Sequence, residues 1–251
     1  MSVMVDAMHK QLTPEKTHLT HVLTKVTKDS DQKYHLFFKT NDGEREVTAR
    51  AVIMTIPFSV LRTLQLDESL ALPALTQEAI KTLFYGTNSK IQVANATPYH
   101  LRYLVEAESQ TTSWCPPNVK GLTLVTGGNE GASLTLETAQ NLTNVILNKI
   151  DSESRGTSSN APHVMVKNWT LDEYARGSYS TMGLHPFSFD LESQKPEFKG
   201  LREFAEPVGG FIFAGEHTRV ENGFMESAVQ SGRIAAEYYL KNFLHESASI
   251  L

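Results

Sequence analysis

An α/β fold of the mixed α+β kind is what this 251-residue sequence predicts. Three observations lead there. Short apolar runs of strand length, AVIMTIP (51–57), GLTLVT (121–126) and GFIFAG (210–215), finish at or beside Pro or Gly. Between and after them, residues 134–150 and 227–243 carry apolar residues at helical spacing. The composition, 40% hydrophobic and 20% charged, is that of an ordinary globular chain with enough apolar material for a sizeable core, in one large domain or two small ones.

Taken in order, Val5, Met8 and Leu12 predict a short opening helix closed by Pro14. LTHVLTKV (19–26) reads as a strand. Residues 34–38 and 45–47 flank Asn41-Asp42-Gly43, a hairpin turn in which Gly supplies positive φ. The run 51–57 predicts a strand buried on both faces. Residues 58–84 read as helical, with Leu61, Leu64 and Leu66 before a break at Pro73 and a second helix over 76–84. SKIQVANA (89–96) and GLTLVT read as strands. LETAQNLTNVILNKI predicts an amphipathic helix whose stripe is Leu136, Leu142, Val145, Ile146 and Ile150, followed by an exposed loop over 151–162. GFIFAG predicts a strand leading into the helix 227–243, whose small residues Ala228, Gly232 and Ala235 allow another backbone close. A strand, Gly-Glu, a loop and a helix start together present backbone N–H groups to a ligand.

Charge and motifs exclude several functions. The net charge of −5, from 23 basic and 28 acidic residues without a basic block, argues against nucleic acid or an anionic membrane as partner. No apolar run approaches the roughly 20 residues of a membrane helix. The start, MSVMVDAMHKQL, lacks the pattern of a signal peptide, so a cytoplasmic location is expected, and the lone Cys115, in WCPP, reads as packing in a rigid turn. Gly127-Gly128-Asn129-Glu130-Gly131 has the wrong spacing for a dinucleotide fingerprint and reads as a strand-to-helix loop. No P-loop, zinc cluster, nucleophile elbow or calcium loop is present, and no metal site is expected. Glu216 and His217 are adjacent and point apart, so His217 reads as a loop histidine near a ligand. Asn141-Leu-Thr and Asn168-Trp-Thr match the glycosylation pattern, which means little without a secretory signal.

FIFAGEHTRVENGFMESAVQSGRIAAEYY (211–239) resembles the C-terminal flavin-binding motif of the flavin-containing amine oxidases, the group of monoamine, polyamine and L-amino-acid oxidases. Three further segments match in the same order along the chain. NWTLDEYARGSYSTMG (168–183) resembles the stretch beside the isoalloxazine ring, and YGTNSKIQV (85–93) the strand with the flavin-facing lysine. Residues 19–26 with ARAVIMTIPFSVL (49–61) resemble the strands by the adenosine half of the cofactor.

The resemblance implies a partial FAD-binding, Rossmann-like domain at 1–57 and 205–251 and a mixed-sheet substrate domain at 58–204. It places Leu23 and Pro57 near the adenosine half, Trp169 and Tyr174 against the ring system, and Gly215 and Glu216 by the ribityl–pyrophosphate region. Gly223, Phe224 and Met225 would pass the flavin, and the positive end of the following helix would face the pyrimidine edge, where charge accumulates on reduction. Tyr179 and Phe224 match the aromatic pair that sandwiches the amine, and Lys90 the lysine that holds a water at the flavin. Ser178 stands where covalently linked members carry cysteine, so the FAD is expected to be non-covalent. The implied reaction oxidises a C–N bond by hydride transfer to the flavin, with imine hydrolysis and peroxide as product.

The Gly-rich strand–turn–helix with which the family begins has no counterpart here. The chain matches the C-terminal half, so a second chain supplying the other half, or self-association through unpaired apolar edges such as 51–56, is expected. The alternatives are a non-catalytic remnant or interaction module, and a flavin desaturase or protoporphyrinogen-type oxidase; Tyr179, Phe224 and Lys90 favour the amine. An L-amino-acid substrate would want an arginine for its carboxylate, with Arg102 the candidate.

Overall fold

Strand β1 (Val22–Lys28) runs antiparallel to β2 (Tyr34–Thr40), which turns through Asn41 and Asp42 into β3 (Gly43–Ala49). Gly43 has φ +117°, the conformation for which the turn selects it. The computed structural model describes residues 2–13, 16–94, 103–115, 121–154, 163–181 and 198–244, the backbone alone at residues 2 and 150–154. Pro14, Arg102, Pro116, Pro117 and the predicted loop beyond residue 154 lie outside them. A short helix α1 (Ser2–His9) precedes the sheet, as its spacing predicts.

After β4 (Val52–Met54) come a single turn α2 (Phe58–Leu61) and then β5 (Gln65–Leu66), which pairs parallel with β1 at Lys25 and Val26. The helical reading of 58–84 is therefore corrected at Leu64 and Leu66. Parallel pairing with a strand far back in the sequence overrides the local leucine spacing. The helix after Pro73 is α3 (Ala74–Thr82), and residue 84 belongs to β6 (Phe84–Tyr85). Arg62 closes this region by donating from Nε to the carbonyl of Phe58 (3.0 Å) and from Nη2 to that of Leu83 (2.8 Å).

The second sheet has five antiparallel strands in the order β11-β7-β10-β9-β8: β7 (Ser89–Ala94), β8 (Leu104–Glu106), β9 (Thr111–Trp114), β10 (Gly121–Thr126) and β11 (His163–Asn168). The glycine run after β10 is a short helix α4 (Gly128–Ser133) rather than a loop, with Gly131 buried where a Cβ would stand 2.3 Å from the Thr87 carbonyl oxygen. Helix α5 (Leu136–Ser154) then packs on β11 and continues through 151–154, which corrects the loop predicted there. Its buried side is Ala139, Thr143 and Ile146, while Leu136 and Val145 are exposed. Leu142 and Leu147 pack beside Ile146 on the same core, so the buried stripe extends to the side of Ile146 away from Val145.

The last segment returns to the first half of the chain. β12 (Ser180–Thr181) pairs with β6, and β13 (Phe211–Phe213) pairs parallel with β4, Ile212 opposite Ile53. Ile53 is 41% exposed, so β4 is not buried on both faces as its composition predicts. Helix α6 (Met225–Tyr239) covers Ile212 through Ala235, but no described element covers Ile53. The buried side of α6 is Ser227, Ser231 and Ala235; at Gly232 a Cβ would meet nothing within 4 Å. A close backbone approach at Ala228 and Gly232 is thus not realised among the described residues.

Three apolar cores result among the described residues. The first joins Leu23, Val26, Phe58, Leu61 and Ile80 with Phe204, Phe211 and Phe213, and a buried bond from Thr76 Oγ1 to the Phe204 carbonyl (2.9 Å) ties α3 to it. The second, with Ile91, Leu122, Leu124 and Ile146, lies between the five-stranded sheet and α5, and Cys115 is buried in it. The third is the small contact of Ile212 and Ala214 with Ala235.

Candidate active site

Tyr179 is placed by the chain before it. Ser178 donates its N–H to the Gly86 carbonyl (2.8 Å), Gly86 donates to the Tyr179 carbonyl (2.9 Å), and Asn88 Nδ2 donates to the Ser178 carbonyl (2.8 Å). Such close pairing requires glycine: a Cβ at Gly86 would lie 2.6 Å from the Ser178 oxygen, and one at Gly177 2.7 Å from the Tyr85 Cβ. The preceding turn is pinned by Gly177 N–H to the Trp169 carbonyl (2.9 Å) and by Asp172, whose Oδ1 accepts from Tyr174 N (2.9 Å) and whose other oxygen pairs with Lys167. That ammonium holds the Asp172 carboxyl below the usual carboxylate range. Lys167 also lies 4.9 Å from the ring centre of the half-buried Trp169.

The other aromatic wall comes from the segment before α6. Gly223 has φ +83°, and the Tyr179 ring rests on its backbone, with Cδ2 2.7 Å from where a Cβ would stand. The structure thus brings Tyr179 beside Gly223 and Phe224. Both side chains are exposed, Tyr179 by 54% and Phe224 by 68%. Phe224 is the N-cap of α6 and its side chain makes no cap bond, so among the described residues the first-turn N–H groups beginning at Met225 have no side-chain partner. Tyr174 is exposed on the neighbouring turn.

Behind these walls stands Glu216. Its Oε1 accepts from Ser180 N (3.1 Å), and its Oε2 accepts from Ser180 Oγ and Gly223 N (both 2.7 Å). Gly215, at φ +137°, donates its N–H to Ser231 Oγ (2.8 Å) and so ties this turn to α6. His217 is buried, 2% exposed, with its ring 4.7 Å from that of Phe58; burial, and then the Arg202 charge, push it down to about 3. It is therefore a neutral core histidine and not the ligand-facing one the sequence suggests. Among the described residues its Nε2 and both Nη atoms of Arg202, also 2% exposed, have no hydrogen-bond partner. Burial lowers the Arg202 guanidinium and the Glu216 charge raises it. Tyr85, whose hydroxyl accepts from Phe58 N (2.9 Å), is pushed up by burial.

Three residues from the sequence reading stand apart from this cluster. Leu23 is in the first core, on the four-stranded sheet. Pro57 starts α2, next to Phe58. Lys90 is on β7, an interior strand between β11 and β10 rather than an edge, and is exposed in register with Lys167. That register puts Lys90 on the sheet face of Lys167, the side on which Trp169 lies. Through its backbone Ser178 meets Gly86, Thr87 and Asn88. Sequence reasoning missed Ser180, Asn222 and Arg202. Asn222 Nδ2 donates to the Ser180 carbonyl, across the same gap that Glu216 spans.

A cavity of about 690 Å³, walled by Leu61, Leu64, Leu66, Leu72 and Ile80, lies away from the aromatic pair, between α2, β5 and α3. Its lining shares no residue with the aromatic cluster. Among the described residues no three His, Cys, Asp or Glu side chains are placed to hold a metal ion, and no helix is long and apolar enough to cross a membrane.

The comparison that decides the family is a match over residues 1–240 to the flavin containing amine oxidoreductases. The chain belongs to that family. It is 22% identical over 242 residues to the L-amino-acid oxidases of Bothrops moojeni and Bothrops atrox, which covers 90% of this chain and 46% and 45% of theirs. To the L-amino-acid oxidase of Demansia vestigiata it is 36% identical over 72 residues, 29% of this chain and 12% of that one. The chain therefore spans less than half the length of the curated relatives it matches.

The residues present fit a flavin on their own geometry. Among the described residues, a helix start with free N–H groups, a glycine at positive φ beneath an aromatic ring and exposed aromatic side chains beside it suit the edge and the face of a flat, polar-edged ring system.

Proposed function

We propose that this chain carries the flavin-contacting and substrate-binding walls of an amine oxidase that oxidises the C–N bond of an amine or amino acid. The observation that carries the reading is the outward-facing pair Tyr179 and Phe224, seated together at the uncapped start of α6. Two π-faces attract an amine as it arrives in cationic form and wall it from water once it is neutral. The α6 N–H groups from Met225 onward would hold the pyrimidine edge, with Trp169 and Tyr174 against the ring, and Ser178 offers no thiol for a covalent link. When bound, FAD supplies the two-electron redox chemistry that leads to imine and peroxide. Lys90 would hold a water on that side of the sheet. The relatives are L-amino-acid oxidases, which supports an amino acid as the first substrate to try.

The rest of the cofactor site would come from further polypeptide, since the relatives are more than twice as long as the stretch matched here. The bare face of Ile53 and the exposed apolar line Met225, Val229, Gly232 and Ala236 on α6 are where it would dock. The test is amine-driven peroxide formation by the FAD-loaded protein. Tyr179→Ala should raise KM for the amine about tenfold, the loss of an aromatic contact worth about 1–1.5 kcal/mol. A non-catalytic interaction module would show docking of the second polypeptide without peroxide.

A further inference from the structure

Both aromatic walls hang on one carboxylate. Ser180 follows Tyr179 and Gly223 precedes Phe224, and Glu216 accepts three hydrogen bonds from those two residues: Ser180 N at 3.1 Å, Ser180 Oγ at 2.7 Å and Gly223 N at 2.7 Å. The two segments are remote in sequence and meet only by tertiary folding. Asn222 adds a bond to the Ser180 carbonyl across the same gap, and the Tyr179 ring lies directly on Gly223.

We propose that Glu216 is a positioning residue, a latch that sets the separation and angle of the Tyr179 and Phe224 faces and thereby the fit of the substrate amine. The inference rests on the amine-oxidase reading for its consequence and on the three bonds for its geometry. A carboxylate suits the task because it offers only acceptors, and all three groups that face it are donors. The buried Arg202, with no hydrogen-bond partner at either Nη among the described residues, is attracted by the Glu216 charge, which favours a charged side chain at this position. An amide has one acceptor oxygen. Glutamine must therefore release either Ser180 N or Gly223 N, whichever way it turns.

Hydrogen exchange at single amides of the purified chain tests the latch. In Glu216→Ala the Ser180 and Gly223 amides should both exchange at least about tenfold faster, the loss of a charge-assisted hydrogen bond, while Ile91 and Leu124 in the second core keep their rates. In Glu216→Gln at least one of the two should accelerate similarly, which serves if the alanine variant does not fold. Unchanged rates at both amides in a folded variant overturn the proposal. With FAD bound, the glutamine variant should raise KM for the amine about tenfold and change kcat less. An unchanged KM beside accelerated amides also overturns the positioning role. If wild type and variants alike oxidise no amine while the amides respond as stated, the functional reading fails and the latch stands.

Discussion

Tyr179 and Gly223 fit together with no room to spare. A Cβ at Gly223 would overlap the ring at 2.7 Å, and the φ of +83° disfavours any other residue. Gly223→Ala should cost about 1–3 kcal/mol in urea unfolding and displace Tyr179, with weaker flavin uptake as the second readout. The two buried or paired histidines should pull stability in opposite directions with pH. His217 has an ordinary value of 6.5 and is pushed down to about 3 in the fold. Below pH 6.5 the unfolded chain takes up a proton that the folded chain refuses, so stability falls toward pH 3 by up to about 1.4 kcal/mol per pH unit. His35, bonded to Glu46 at 2.6 Å and Asp29 at 2.9 Å, is raised, first by Asp29 and then by Glu46. Its contribution is full below pH 6.5 and is lost as pH rises through the raised value. Unfolding of wild type, His217→Leu and His35→Asn from pH 5 to 8 checks both signs: the first variant should flatten the acid limb, and the second should lose stability at pH 5 more than at pH 8.

At the scale of elements, helix α5 separates the face that packs from the face that merely looks apolar. Ile146→Ala should destabilise by about 2–5 kcal/mol in urea unfolding, whereas the exposed Val145→Ala should stay within about 0.5 kcal/mol. Equal effects would put the wrong face on the sheet. The sequence reveals α6, β7, β10 and the β2–β3 hairpin because periodicity and Asn-Asp-Gly act locally. It hides β5, two residues whose strand character exists only through pairing with Lys25 and Val26, and the β8–β9 hairpin, where LVE and TTSW alternate too briefly to read. The site divides in the same way. Tyr179, Phe224 and Gly223 are legible through their motif, while Ser180 and Arg202 are not, because a serine after tyrosine or an arginine in LREF gives no sign of what it will meet across the fold. Burial of His217 escapes for the same reason: a Gly-Glu-His turn reads as surface until Phe58 packs on it.

At the scale of the molecule, a two-stranded parallel sheet is an unfinished object. Strands β4 and β13 pair only with each other among the described residues, and parallel sheets are ordinarily covered on both faces. The exposed Ile53, with Val229 and the open space at Gly232, is the matching unfinished surface on the helix side. Ile53→Lys should abolish association with the complementary half of a related oxidase, or with a second copy, in sedimentation, while changing the thermal midpoint of the chain itself by only a few degrees. If association survives the lysine, the docking face lies elsewhere. Membership of the flavin containing amine oxidoreductases supports the central proposal, that this chain contributes the walls of an amine site. The visible absorbance spectrum of the purified chain with FAD and the complementary polypeptide, before and after adding an L-amino acid in the absence of oxygen, tests it most directly. The account predicts a bound flavin band that bleaches on addition of the amine, and far less at the same concentration in Tyr179→Ala. A protein that stays colourless with FAD and the complementary polypeptide both supplied, or whose bound flavin ignores every amine, would contradict it.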